Sequence, residues 1–117
     1  MDVINVLEVL DHFFPSHRSP ERAAEWEAVK SRIALGSRVR GIVVAQFHFG
    51  VFVDIDAGFP ALLLVPRMNP VDGQPRRSME LYPAIGSTVE ARVCVWASPS
   101  RGIGLTQLER EEMLGER

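Results

Sequence analysis

At 117 residues the chain has room for one domain around one modest hydrophobic core, which excludes a large catalytic architecture. The formal net charge of −2 argues against a strongly electropositive nucleic-acid binder, and the single cysteine, Cys94, excludes an internal disulfide. No apolar run approaches the roughly 20 residues of a membrane helix, and the first residues lack the basic and apolar regions of a signal peptide, so a cytoplasmic location is expected.

The chain opens with apolar residues at helical spacing: Val3, Ile4, Val6, Leu7, Val9, Leu10, Phe13 and Phe14. They predict a short amphipathic helix that Pro15 stops. Ser19 as N-cap and Pro20 at the first helical position predict a second helix from Arg22 to Leu35, closed by Gly36. Its stripe of Ala23, Trp26, Val29, Ile33 and Ala34 reads as core packing rather than a ligand box, so both helices are expected to cover one end of whatever follows.

From Ser37 the period changes to two. Val39, Gly41, Val43 and Ala45 alternate with Arg38, Arg40, Ile42 and Val44, a long strand with a glycine bend at Gly41. A tight connection through His48 and Gly50 leads to a second strand, Val51 to Ile55, closed by Asp56, Ala57 and Gly58. The third, Ala61 to Val65, is nearly all apolar and is expected to be buried on both faces, with Pro66 ending it. Three prolines, Gly73 and the Arg76–Arg77 pair then predict a long exposed connection.

The fourth strand is the clearest: Val89, Ala91, Val93 and Val95 face one way, and Glu90, Arg92, Cys94 and Trp96 the other. Ser98, Pro99 and Ser100 turn the chain into a fifth strand through Ile103 and Leu105. A charged tail from Glu109 to Arg117 is expected to be a frayed helix. The chain thus divides into a helical extension at 1–35, a β unit at 36–108 and a tail at 109–117. Five short strands with a long connection between the third and fourth match a mainly β, five-stranded Greek-key barrel of the OB type.

Charge is distributed unevenly. Between Gly36 and Leu108 the cations are Arg38, Arg40, Arg67, Arg76, Arg77, Arg92 and Arg101, against five carboxylates, so the acidic excess lies in the two ends. All seven are arginine, whose planar fork suits phosphate and stacks on bases; the alternative is a solvated surface.

The residues Gly36, Val39, Gly41 and Val43, then Phe49, Gly50, Val51, Phe52, Val53 and Asp54, with Gly58, Leu62 and Leu63 after them, together resemble the S1-type RNA-binding domain. Gly86, Val89, Val93, Ile103, Leu105 and Thr106 extend the likeness, which runs from about Leu35 to Leu108 and leaves the helices outside. It implies a single-stranded RNA surface on which aromatic rings of the second strand stack on bases. Phe49 and Phe52 are the positions carried over. Their spacing of three breaks alternation, so both face outward only if the chain bends or bulges at Gly50; the alternative buries one of them inside the barrel.

The chain departs from the S1-type pattern at several polar positions. Leu64 stands in place of a histidine, Pro66 of a serine, Ala97 of an aspartate and Gly102 of an arginine. Arg101, one residue away, is a candidate substitute, and Trp96 on the outward face would add a stacking ring. Phe49, Phe52, Leu64 and Trp96 would then form an exposed apolar patch of the kind that meets a protein partner.

The candidate nucleic-acid contacts are Phe49, Phe52, His48, Arg38, Arg40, Arg67, Arg92, Trp96 and Arg101. Single-stranded RNA of low sequence preference is the expected partner, and a protein-interaction module that has lost nucleic-acid binding is the alternative. No catalysis or cofactor is expected. Asp54 and Asp56 have no third ligand nearby, and His12, His17 and His48 show no metal-ligand spacing.

Overall fold

The computed structural model describes residues 3–110 and 112–117, with the side chains of residues 3 and 4 outside that set; Val3 and Ile4 of the predicted stripe therefore lie beyond it. Helix α1 spans Val3–Phe13. Along it Val6, Val9 and Leu10 turn inward and Phe14 follows them, while Asn5, Glu8, Asp11 and His12 face water. Helix α2, Ala23–Arg32, is entered through a 3-10 turn at Pro20–Arg22, where the Ser19 side chain accepts from the Glu21 amide. Trp26 and Val29 are the buried part of its stripe, whereas Ala23 and Ala34 are exposed.

The strands are β1 (Arg38–Phe47), β2 (Gly50–Asp54), β3 (Ala61–Leu64), β4 (Thr88–Ala97), β5 (Gly102–Thr106) and β6 (Gly115–Glu116). They run in the order β1-β2-β3-β5-β4-β6, and β1 also pairs with β4. The first five strands thereby close into a barrel, with β3 and β5 the parallel pair inside it. The tail is no helix: β6 adds to β4 in parallel, and Glu116 is held by Lys30 of α2 at 2.9 Å and by the Ser98 hydroxyl at 2.7 Å. Because of this pairing the Glu116 carboxyl sits below its usual range.

Two β-bulges set which side chains enter the barrel. In β1 the register slips between Val43, opposite Val53, and Ala45, opposite Phe52. The extra residue reverses the alternation. Val43 therefore packs inside, while Ala45 and Phe47 join Phe52 on the outer wall. The same device in β4 lies between Val93 and Val95, so Val95 turns outward and Trp96 inward.

The main core is built from Val51, Val53, Leu63, Val93, Ile103 and Leu105 with their neighbours, and α2 closes one end of it. Trp26 meets Phe59 and Trp96 edge to face at 5.1 and 5.8 Å, and its indole N–H donates to the Ser98 hydroxyl at 3.1 Å. Helix α1 does something else. It lies against the outer wall, where Leu10 and Phe14 form a second cluster with Ala45, Phe47 and Phe52. Only one of the two helices therefore covers a barrel end.

Candidate nucleic-acid interface

The β1–β2 hairpin turns through His48 and Phe49, since Phe47 pairs directly with Gly50. This tip brings three rings together. Phe47 and Phe49 stack in parallel with centroids 5.4 Å apart, and Phe52 stands edge-on to them at 5.8 and 6.1 Å. Phe49 and Phe52 thus share a face because Phe49 belongs to the turn and β1 is bulged, rather than through a bulge at Gly50. His48 is exposed, edge-on to Phe49, and its carbonyl accepts from the Tyr82 hydroxyl at 2.8 Å.

The face is not open. Val6, Val9, Leu10 and Phe14 close over it, leaving Phe52 only 6% exposed and Phe47 4%, with Phe49 half-buried at the edge. Full exposure of Phe52 was the expectation from sequence. The correction has a plain cause: three clustered rings form an apolar surface too large to leave in water when an amphipathic helix is tethered nearby.

Beside Phe52 runs an apolar groove of about 300 Å³. Leu62 and Leu64 line it from β3, Val95 and Ala97 from β4, and Gly102 and Gly104 from β5, with Leu10 of α1 also present. Among the described residues Arg67 is its one charged lining residue. Gly104 permits the geometry, because a Cβ there would lie 2.0 Å from a methyl of Val95. Three of the departures noted above, Leu64, Ala97 and Gly102, meet in this single groove.

Trp96 is absent from this surface. It is 5% exposed inside the barrel against Trp26, because the bulge after Val93 inverts the alternation that placed it outside. Cys94 is likewise fully buried rather than outward-facing. The arginines do not ring the phenylalanines either. Arg101 donates to the carbonyls of His17 and Ser19 and so anchors the segment between the helices. Arg40 lies 3.8 Å from Glu90 on the exposed wall. Arg38 and Arg92 are register partners of the β1–β4 ladder and line a separate concavity with Arg76. Of the candidate cations, Arg67 alone shares the groove with Phe52.

The segment that Arg101 holds also contains His17, a buried ring whose Nδ1–H donates to the Phe14 carbonyl at 2.9 Å. Burial pushes its pKa below the usual histidine value; Arg18 and Arg22 add to this, while the Phe14 carbonyl and Asp11 oppose it. Unfolding therefore takes up a proton below about pH 6.5, so the stability this group contributes falls as the pH drops from there. Thermal midpoints are expected to decline on acidification from pH 7.5 to 5.5, and His17→Gln is expected to remove part of that decline.

No family model and no curated protein match the chain. Solved structures do. GSP13 from Bacillus subtilis superposes with a TM-score of 0.54 and 17% identity over 68% of this chain and 65% of its own. MJ1198 from Methanocaldococcus jannaschii, an uncharacterised protein, gives 0.53 and 16% over 68% and 97%. RNase R from Mycoplasma genitalium, solved in complex with ribose methylated single-stranded RNA, gives 0.54 and 19% over 75% of this chain and 15% of that enzyme. The chain has the S1-type OB fold. It spans about two thirds of GSP13, and the S1-type barrel accounts for the strand order, the closing β1–β4 pair and the hairpin that carries Phe49 and Phe52.

The covering helix, the groove and the Arg38–Arg92 concavity were missed in the sequence. The signal for the first was present: Phe47 and Phe49 lie five and three residues before Phe52, an aromatic density that an uncovered wall seldom carries.

Proposed function

We propose that this chain is a non-catalytic RNA-binding module that takes single-stranded RNA with low sequence preference, using Phe49 and the groove beside Phe52 as the base-contacting surface. The observation that carries the reading is the hairpin tip: a half-buried Phe49 backed in parallel by Phe47, next to an apolar groove that Arg67 lines. A base laid on such a ring gains about 1–3 kcal/mol without regard to its identity, and a guanidinium nearby suits the phosphate that follows it. The RNA bound by RNase R in its complex, and the rRNA present with the Pyrococcus horikoshii a/eIF2alpha–aDim2p complex, support RNA as the ligand class of this barrel.

In this reading α1 competes with RNA for the rings. With Leu10 and Phe14 in place, only Phe49 and the groove are offered, and binding is weak; with α1 displaced, Phe52 and Phe47 become available. Fluorescence anisotropy with a labelled single-stranded RNA is expected to register binding at low salt that weakens linearly on logarithmic axes as salt rises. Phe49→Ala is expected to reduce affinity by about 1–3 kcal/mol at constant salt. Absence of binding at the lowest salt, in the intact protein and in a variant with α1 detached, overturns the proposal.

A second reading has an observation of its own. Leu64, Ala97 and Gly102 turn the groove apolar, and α1 demonstrates that an amphipathic helix fits this wall. A protein-interaction module would use the same surface for a partner's apolar side chains. Mass measurements across a concentration series, with and without RNA, separate the two.

A further inference from the structure

We propose that the arginine-lined concavity on the outer wall of β1 and β4 is a second nucleic-acid contact that holds the sugar-phosphate backbone, apart from the aromatic face. The inference rests on the reading of the chain as an RNA-binding module and assigns it a site that remains open while α1 covers the rings.

The concavity holds about 700 Å³. Three arginines from separate parts of the chain line it. The β1–β4 register sets Arg38 opposite Arg92, and the loop between β3 and β4 contributes Arg76. What these groups bond to decides whether their charge is compensated. Arg76 donates through Nε to the Asn69 carbonyl and through Nη1 to the Leu81 carbonyl, both at 2.8 Å. Arg92 donates to the Leu108 carbonyl. The Arg38 side chain is exposed and makes no hydrogen bond or ion pair among the described residues. Carbonyls orient two of the forks without neutralising them, so positive charge is held in fixed directions with N–H groups to spare.

Two carboxylates also line the concavity, Glu90 and Glu109. Glu90 places an oxygen 3.8 Å from Nε of Arg40, which is not a lining residue, and Glu109 is exposed. Neither forms an ion pair with any of the three arginines among the described residues. Among the described residues the lining therefore carries three arginines against two carboxylates, although the chain as a whole is acidic. Such a local excess, with neutral groups such as Thr106 and Asn69 between the forks, suits a ligand that brings separated single charges rather than one compact ion.

Strand β5 joins the two places. Gly102 and Gly104 line the apolar groove, and Thr106 and Gln107 line the concavity. At about 3.3 Å per residue the distance along the strand is about 13 Å from Gly102 to Thr106. The Gln107 backbone N–H, just past the end of β5, donates to the Arg67 carbonyl at 2.8 Å, which ties the backbone of Arg67 to the end of that strand. A single strand leaving the groove along β5 arrives at Thr106, the register partner of Arg92, with Arg38 opposite Arg92 on the next strand.

The test is a salt titration of single-stranded RNA binding for Arg38→Ala, Arg38→Glu, Phe49→Ala and, as a surface control on α2, Arg32→Ala. The Arg38 side chain is exposed and unbonded, so its variants are expected to fold with unchanged thermal midpoints. Arg38→Ala is expected to reduce the slope of log affinity against log salt by about 0.7, the contribution of one phosphate on a single strand. Arg38→Glu is expected to lower affinity about tenfold or more at low salt. Phe49→Ala is expected to lower affinity with the slope retained, and Arg32→Ala to change neither. If Phe49→Ala weakens binding while both Arg38 variants match the unaltered protein in affinity and slope, the concavity is no backbone site and the RNA-binding reading stands. If no variant and no salt condition gives binding, both fall. Displacement of RNA by polyglutamate at equal charge concentration, with loss of that competition in Arg38→Glu, reassigns the concavity to an acidic protein segment and overturns the nucleic-acid assignment.

Discussion

Replacing Val6 and Leu10 together with aspartate is expected to raise the affinity for single-stranded RNA by about 10- to 100-fold. Both side chains lie on the face of α1 that meets the phenylalanine wall. Full burial of a side chain of this size contributes about 1.5–3 kcal/mol, and a charge set against the rings reverses that contribution. If RNA reaches Phe47 and Phe52 only when α1 has left, the apparent dissociation constant exceeds the intrinsic one by the inverse of the open fraction. A cover held by a few kcal/mol is open about one time in tens to hundreds. Destroying it recovers that factor and lowers the thermal midpoint by no more than the docking energy of α1, because the barrel core, which α1 does not enter, is retained. A titration in which the double variant binds RNA no better than the unaltered chain shows that the covered rings are no part of the binding surface.

Trp96→Ala carries the largest expected loss of stability, about 3–5 kcal/mol. Trp96 is 5% exposed, packs edge to face on Trp26 at 5.8 Å and belongs to the core that α2 closes. Against a total stability of about 5–15 kcal/mol for a domain of this kind, the loss is severe. Chemical denaturation reports it as a lower midpoint with little change in slope. Strict alternation along β4 gives the opposite expectation, a wet ring whose removal changes stability by no more than about 0.5 kcal/mol and weakens RNA binding instead. The two outcomes separate an inward Trp96 from an outward one without further structural work.

That contrast marks how far the sequence could be read. The helical stripe of α1, the Ser19–Pro20 start of the second helix, the five strands and the long connection with its prolines are local patterns, and local patterns survive folding. Fold class followed from them. Facing failed at Trp96 because alternation predicts a side only as far as the next bulge, and neither Val44 nor Cys94 carries a residue type that announces one.

Long-range placement was equally hidden. The stripe of Leu10 and Phe14 requires a partner surface, but nothing in its spacing says whether that is a barrel end or an aromatic wall. The tail reads as a frayed helix because its strand, β6, depends on pairing with Val95 and Trp96 of β4 and on Lys30 of a distant helix. Arg38 and Arg92 are 54 positions apart in number and become neighbours only through the closing pair of the barrel. Arg101 is a candidate contact in the sequence because it stands one residue from an arginine position of the S1-type pattern, yet two backbone carbonyls of the interhelical segment claim it.

The central claim, that RNA meets this barrel at the hairpin tip and the adjoining groove, is tested most directly by following backbone amide resonances during titration with a short single-stranded RNA at low salt. The account predicts progressive shifts at His48 to Phe52, Leu62 to Leu64 and Gly102 to Thr106, with β6 and the exposed face of α2 unmoved. Shifts confined to other surfaces, or none at saturating RNA, would contradict it.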